Sequence, residues 1–165
     1  MSNSLSTWLA IQDYSSNGVS HELLSEESRP VTDDEAHELE LPAGATAQYR
    51  RTVLRAQLSG DNALIATANS LVAKGRLPRS AIGELQRGVP LGLALQPMGV
   101  LRQTATPTLV ETPDGAGGSV LTMHLRAVLL VGGCPWAITD EVVHQCMVEH
   151  RVPGYFAAPR NSSNA

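Results

Sequence analysis

Aromatic residues are scarce: one Phe, three Tyr and two Trp in 165 residues. Any core built from this chain is mainly aliphatic. Cysteine is scarcer, with only Cys134 and Cys146, and neither belongs to a CxxC pair. No disulfide framework is expected. With no signal peptide in view either, the expectation is reduced thiols in the cytoplasm. Long hydrophobic runs are absent. The longest, Ala127 to Val131, is far too short to span a bilayer, so no membrane partner is expected. A basic excess is also missing. Twelve Lys and Arg stand against sixteen Asp and Glu, for a net charge of −4, and the basic residues are scattered. Non-specific binding to nucleic acid is disfavoured.

Motifs for metals, phosphates and thiol chemistry are missing too. His144, Cys146, Glu149 and His150 match neither HExxH nor a zinc ribbon, so no metal is expected. Asp114-Gly-Ala-Gly-Gly is a flexible turn without a following GK[ST], hence no phosphate loop. Cys134 has no visible base beside it to depress its pKa.

What is present is an ordinary globular mix, 42% hydrophobic and 17% charged, long enough for one domain with a real core. The domain is expected over 1–152, with a polar tail over 153–165 (PGYFAAPRNSSNA). Leu5, Trp8, Leu9 and Gln12 share a helical face, so the spacing predicts a helix from Ser4 to Tyr14, stopped by Asn17-Gly18. Val19 to Glu27 reads as a second short helix, and Arg29 to Glu38 as an acidic loop broken by Pro30. Beyond Leu39 the period shifts toward two. Gln48 to Leu58 reads as a strand, Ser59-Gly60-Asp61-Asn62 as a hairpin turn, and Ala63 to Val72 as a returning strand buried on both faces. Pro78 to Arg87 reads as a helix with Ile82 and Leu85 inward. Strands follow over Val100 to Glu111, Ser119 to Val131 and Pro135 to Val143, the last two joined by Gly132-Gly133. The expected class is α+β: an antiparallel sheet of about six strands with helices packed on one side.

Two stretches carry a family resemblance. The first is residues 63 to 95, ALIATANSLVAKGRLPRSAIGELQRGVPLGLAL: a β-rich run, a Leu77-Pro78 break, a short amphipathic helix and a Pro90-Leu91-Gly92 corner. The second is Arg126 to Glu141, RAVLLVGGCPWAITDE: a strand, a Gly-Gly turn and a strand ending in acid. In this order, in a chain of this length, they resemble the chorismate-pyruvate lyase family. The resemblance runs over roughly residues 5 to 145, weakly before Gln48. It implies a chorismate lyase-like fold and a cofactor-free elimination that converts chorismate to 4-hydroxybenzoate and pyruvate. Such a reaction asks the protein to clamp carboxylates, exclude water and assist one proton transfer. The same fold also serves UTRA domains of bacterial regulators, which bind small effectors without catalysis. A non-catalytic protein binding an aromatic acid, or a lyase relative acting on another ring acid, is the alternative.

Site residues follow from the resemblance. An arginine at the start of the first long strand binds the ring carboxylate in the family, and a planar guanidinium suits that task. Three arginines compete here. Arg51-Thr-Val-Leu resembles the family pattern most directly, Arg55 lies nearer the hairpin, and Arg50 shares strand parity with Leu54, Ala56 and Leu58. All three also suit a solvated strand. The family glutamate maps to Glu141 by an ungapped count from Gly132-Gly133, and to Asp140 if the Thr-Glu pair is read literally. Consecutive strand residues face opposite sides, so one alone can enter a pocket. Glu141 shares a face with Ala137 and Thr139 and is preferred. The backbone of Leu91 is expected to bind ligand at the Pro90-Leu91-Gly92 corner. Arg102 and Arg126 lie on later strands, where a dianion could use a second cation and pairing with surface acids is the plainer role. The N-terminal helices are expected to form a flap. The methionine that some relatives place there has no counterpart in Gly18-Val19-Ser20-His21. The oligomeric state is not legible.

Overall fold

Two-residue periodicity governs more of the chain than its sequence pattern suggests. The computed structural model describes residues 19–58, 61–113 and 117–144. Seven strands form one antiparallel sheet: β1 (Val19–Pro30), β2 (Thr46–Leu58), β3 (Asp61–Val72), β4 (Leu101–Thr104), β5 (Thr108–Pro113), β6 (Ser119–Val131) and β7 (Cys134–His144). The spatial order is β1-β2-β3-β7-β6-β4, with β5 also paired to β6. Three short helices decorate it: α1 (Asp33–Glu38), α2 (Arg79–Gln86) and α3 (Leu91–Leu95).

Register explains how the sheet gains two distinct faces. On one face Arg50 of β2 lies opposite Ser70 of β3, which lies opposite Thr139 of β7. In the neighbouring rows Thr52 meets Ala68 and then Glu141, and Val72 meets Ala137 and then Leu129. Helices α2 and α3 pack over this face. Val72, Leu77, Leu85, Leu91, Leu95 and Leu129 close around Ala81, Ala94 and Ala137. Val72 and Leu95 have no exposed surface, and burying such a side chain contributes about 1.5–3 kcal/mol. Among the described residues the opposite face takes α1, whose Ala36 packs with Leu39 on Val31, Ala47, Leu71 and Ile138.

The sequence-based expectations hold for β2, β3, β6, β7 and α2, and fail in three places. Val19 to Glu27 is not a helix. Val19, Leu23 and Leu24 have helical spacing, but the backbone pairs with β2 from Val19↔Ala56 to Pro30↔Thr46. A nine-residue helix is marginal alone, and a long partner strand offers more hydrogen bonds. Leu24, with no partner opposite, marks a bulge in this edge strand. Arg29 to Glu38 is not a loop. It holds the end of β1 and helix α1, nucleated by a capping box in which Thr32 and Glu35 satisfy each other's backbone N–H groups. Val100 to Glu111 is not one strand. β4 and β5 share one edge of β6 but are interrupted at 105–107, where Pro107 has no N–H to offer β6.

The β6–β7 turn is set by Gly132 and Gly133, both with positive φ (58° and 82°), between the paired residues Val131 and Cys134. Two consecutive left-handed residues are what a tight two-residue hairpin requires. The predicted helix over Ser4 to Tyr14, the tail over 153–165 and the residues Cys146, Glu149 and His150 lie outside the described residues. Among those described, no helix is long and apolar enough to cross a membrane.

Candidate ligand-binding site

Between the sheet and the α2–α3 layer lies a cavity of about 250 Å³. Its floor is supplied by Arg50, Thr52 and Leu54 of β2, Ala68 and Ser70 of β3, Leu129 of β6, and Thr139 and Glu141 of β7. The lid comes from Pro90, Leu91 and Gly92 at the start of α3, followed by Gln96, Gly99 and Val100. His21 of β1 and Arg102 of β4 close the two sides. Each floor residue is placed by strand alternation, and Pro90 fixes the entry to α3 because it cannot continue the preceding chain as helix.

Arg50 is the deepest cation, with 1% of its surface exposed. Its Nε donates to Glu26 Oε2 at 3.0 Å, and one terminal nitrogen donates to the Leu85 carbonyl at 3.2 Å. Gln48 also hydrogen-bonds Glu26 and steadies it. These contacts use two of the five N–H donors of a guanidinium. Arg50 therefore sits fixed at the cavity wall, compensated from one side. Arg51, one residue on, is exposed and lies opposite Ser25 and Asn69, on the other side of the sheet. Arg55 is half-buried and does not line the cavity.

The acids divide the same way. Glu141 lines the cavity and accepts from Arg102 at 2.7 Å, with both side chains under a tenth exposed. Arg102 Nε also donates to Thr104 Oγ1 at 3.2 Å. Asp140 is exposed on the opposite face, where Arg126 grips it with bonds of 2.7 and 2.6 Å while also holding Glu38 of α1 at 2.8 Å. Leu91 is 92% buried at the head of α3 and lines the cavity. The structure thus brings together Arg50, Glu141 and Leu91, and leaves Arg51, Arg55 and Asp140 outside.

Arg102, for which pairing with surface acids is the plainer expectation, pairs instead with the enclosed Glu141, and His21 was not among the candidates. His21 and Thr139 carry buried atoms, Nδ1 and Oγ1, without a hydrogen-bond partner among the described residues. The His21 pKa is lowered, first by burial and then by the Arg50 charge, against a backbone hydrogen bond with Gly88 that raises it. Its imidazole is accordingly neutral at neutral pH and adds no second charge beside Arg50. The signal for His21 was strand parity in β1, hidden by the helical spacing of its leucines.

No family model matches the chain. No curated protein matches it either. Solved structures do. The effector domain of PhnF from Mycobacterium smegmatis superposes with a TM-score of 0.58 at 15% identity, covering 81% of this chain and 86% of that one. A second structure of PhnF gives 0.59 at 15% identity over 81% of this chain and 62% of that one. The ligand-binding domain of a protein assigned to the GntR-family transcriptional regulators of Bordetella bronchiseptica gives 0.58 at 17% identity, over 76% of this chain and 85% of that one. This is the chorismate lyase-like fold, in the form used by UTRA domains. At these identities the likeness speaks for the fold alone.

The expectation of a lyase is corrected by the same neighbours, which include the effector domain of PhnF and the ligand-binding domain of a GntR-family transcriptional regulator.

Proposed function

We propose that this chain is a small-molecule-binding domain that takes a small organic acid into the cavity beneath α2 and α3 and performs no chemistry on it. The observation that carries this reading is Arg50, a guanidinium 99% buried at the wall of a cavity otherwise lined mainly by apolar and small side chains. Burying a charge is costly unless it is paired. Glu26, 31% exposed at the rim, offsets only one side of it. A ligand carboxylate would complete the compensation through the remaining guanidinium donors, in the planar bidentate geometry that arginine favours. Leu91 and Leu54 would cover the apolar body of the ligand, and small Ala68 and Ser70 leave room for it on the floor. The modest volume suits a single-ring acid better than a drug-sized ligand. Arg102 and Glu141 serve as a structural pair that closes the far wall.

The likeness to effector domains supports a signalling role, in which occupancy is read by a partner; a DNA-binding domain or protein is the partner this reading favours. The test is calorimetry and thermal shift with benzoate, 4-hydroxybenzoate and the neutral control benzamide. The acids should bind with 1:1 stoichiometry, and benzamide should not. Chorismate incubated with the protein should be recovered without pyruvate release above the spontaneous rate. The reading falls if no acid binds, or if Arg50→Ala leaves acid binding intact.

A further inference from the structure

Thr139 poses a question that Thr52 answers. Both sit on the cavity face of the sheet, one row apart, and both are more than nine-tenths buried. Thr52 satisfies its hydroxyl by donating to the Ala68 carbonyl at 3.3 Å. Thr139 does not: the residue lines the cavity, and its Oγ1 is buried without a partner among the described residues. A buried hydroxyl left unpaired destabilises the fold. Valine has the same shape, carries no polar atom and suits a strand equally well. The fold alone therefore gives no reason for threonine at this position, where valine would be the more stable choice.

The hydroxyl has a definite place relative to the cation. Arg50, Ser70 and Thr139 lie abreast on three adjacent strands. Arg50 and Thr139 are thus two strand spacings apart, about 9–10 Å between backbones, with the small Ser70 between them. On the basis of the acid-binding reading above, we infer that Thr139 is the specificity-determining residue of this cavity: it hydrogen-bonds a second polar group at the far end of an acid whose carboxylate is held at Arg50. A hydroxyl rotor can donate or accept, so Thr139 selects for the presence and position of such a group. Ligands that lack it leave Oγ1 buried and unpaired, and that penalty is the source of the discrimination.

The experiment compares the protein with Thr139→Val and Thr139→Ser, using benzoate, 3-hydroxybenzoate and 4-hydroxybenzoate as probes. Without ligand, Thr139→Val should raise Tm by about 2–4 °C, because it removes an unpaired buried hydroxyl. In binding, the unsubstituted protein should prefer at least one hydroxybenzoate over benzoate by roughly three- to tenfold, the value of one neutral hydrogen bond. Thr139→Val should abolish that preference while still binding benzoate, and Thr139→Ser should keep it. A structural role would lower Tm in Thr139→Val and leave the preference untouched. Either result overturns the inference while the acid-binding reading stands. Failure of every benzoate to bind the unsubstituted protein overturns the acid-binding reading itself, and the Thr139 assignment with it.

Discussion

The two faces of the sheet carry the same chemistry in opposite settings. On the α1 face Arg126 bridges Glu38 and Asp140, all three between a third and a half exposed. On the cavity face Arg102 holds Glu141, and Arg50 holds Glu26 with the arginine fully enclosed. The residues are sequence neighbours: Asp140 precedes Glu141, and Arg51 follows Arg50. Alternation alone sends one of each pair to water and the other to the cavity. In water such pairs contribute about 0–1 kcal/mol and weaken with salt. A charge taken out of water loses far more when a partner is removed. The α1 face uses its ion pairs to fasten a helix, whereas the cavity face holds its charges where a ligand can meet them.

The sharpest way to break this contrast is at the arginines. Arg50→Ala should cost about 2–5 kcal/mol in acid binding, the range for removing one partner of a buried charge pair. Arg51→Ala should stay within about 0.5 kcal/mol in both binding and stability, as surface substitutions do. Titration calorimetry with 4-hydroxybenzoate, together with denaturant unfolding of both variants, measures this. Equal small effects at the two positions would mean that enclosure at Arg50 does not matter to binding.

The acids should repeat the contrast in stability. Glu141→Gln removes the carboxylate that Arg102 holds in the cavity wall and should destabilise by about 3–5 kcal/mol. Asp140→Asn removes one of two exposed partners of Arg126 and should cost less than about 1 kcal/mol, with the difference fading at high salt. Urea unfolding at two ionic strengths separates the cases. Similar losses for both variants would show that the cavity wall is wetter than its burial implies.

A smaller effect tests what the α1 face gains from its helix. Thr32→Ala removes the capping bond that the Thr32 hydroxyl accepts from the Glu35 N–H and should cost about 1 kcal/mol. Acid binding across the sheet should be unchanged. Coupled losses of stability and affinity would mean that the two faces are not independent.

Much of the fold was legible because local rules agree with it. In β2 and β3 the hydrophobic pattern coincides with a hairpin. In β6 and β7 the Gly132-Gly133 turn sets the pairing that begins at Val131↔Cys134; the register shifts once between Leu129 and Leu130, and strand alternation beyond it gives Asp140 and Glu141 opposed faces. Arg50, which parity puts on the side of Leu54, lines the cavity with it, whereas likeness to the family pattern points most directly to Arg51. The failures came where local and tertiary signals conflict. The leucines of β1 have helical spacing, but the strand exists because β2 offers a partner along its whole length. The Thr32–Glu35 capping box was readable from sequence and was obscured by Pro30 and the acidic run. The Arg102–Glu141 pair was not readable at all. It joins residues 39 apart in sequence, and its geometry follows only once β4, β6 and β7 are aligned.

Acid pH should separate the two faces by window rather than by size. On the cavity side, burial and the Arg50 charge lower the His21 pKa from its ordinary 6.5. His144 at the end of β7 is lowered by burial as well. Below pH 6.5 the unfolded chain takes up protons that these folded imidazoles refuse, so stability falls as pH drops from 6.5 toward their depressed values. On the α1 side, the hydrogen bond from Arg29, helped by the Thr32 backbone, holds the Glu35 carboxyl down at about 2 against an ordinary 4.5. Its contribution is fully present above 4.5 and is lost as pH falls from 4.5 toward 2. Denaturant midpoints measured from pH 8 to pH 3 should therefore fall in two steps. His21→Gln should flatten the first step and leave the second, and Glu35→Gln should do the reverse. His144→Gln serves as the control for the share of the first step that does not come from the cavity. If His21→Gln leaves the slope between pH 7 and pH 5.5 unchanged, the imidazole is not held neutral beside Arg50, and a second charge stands next to that arginine.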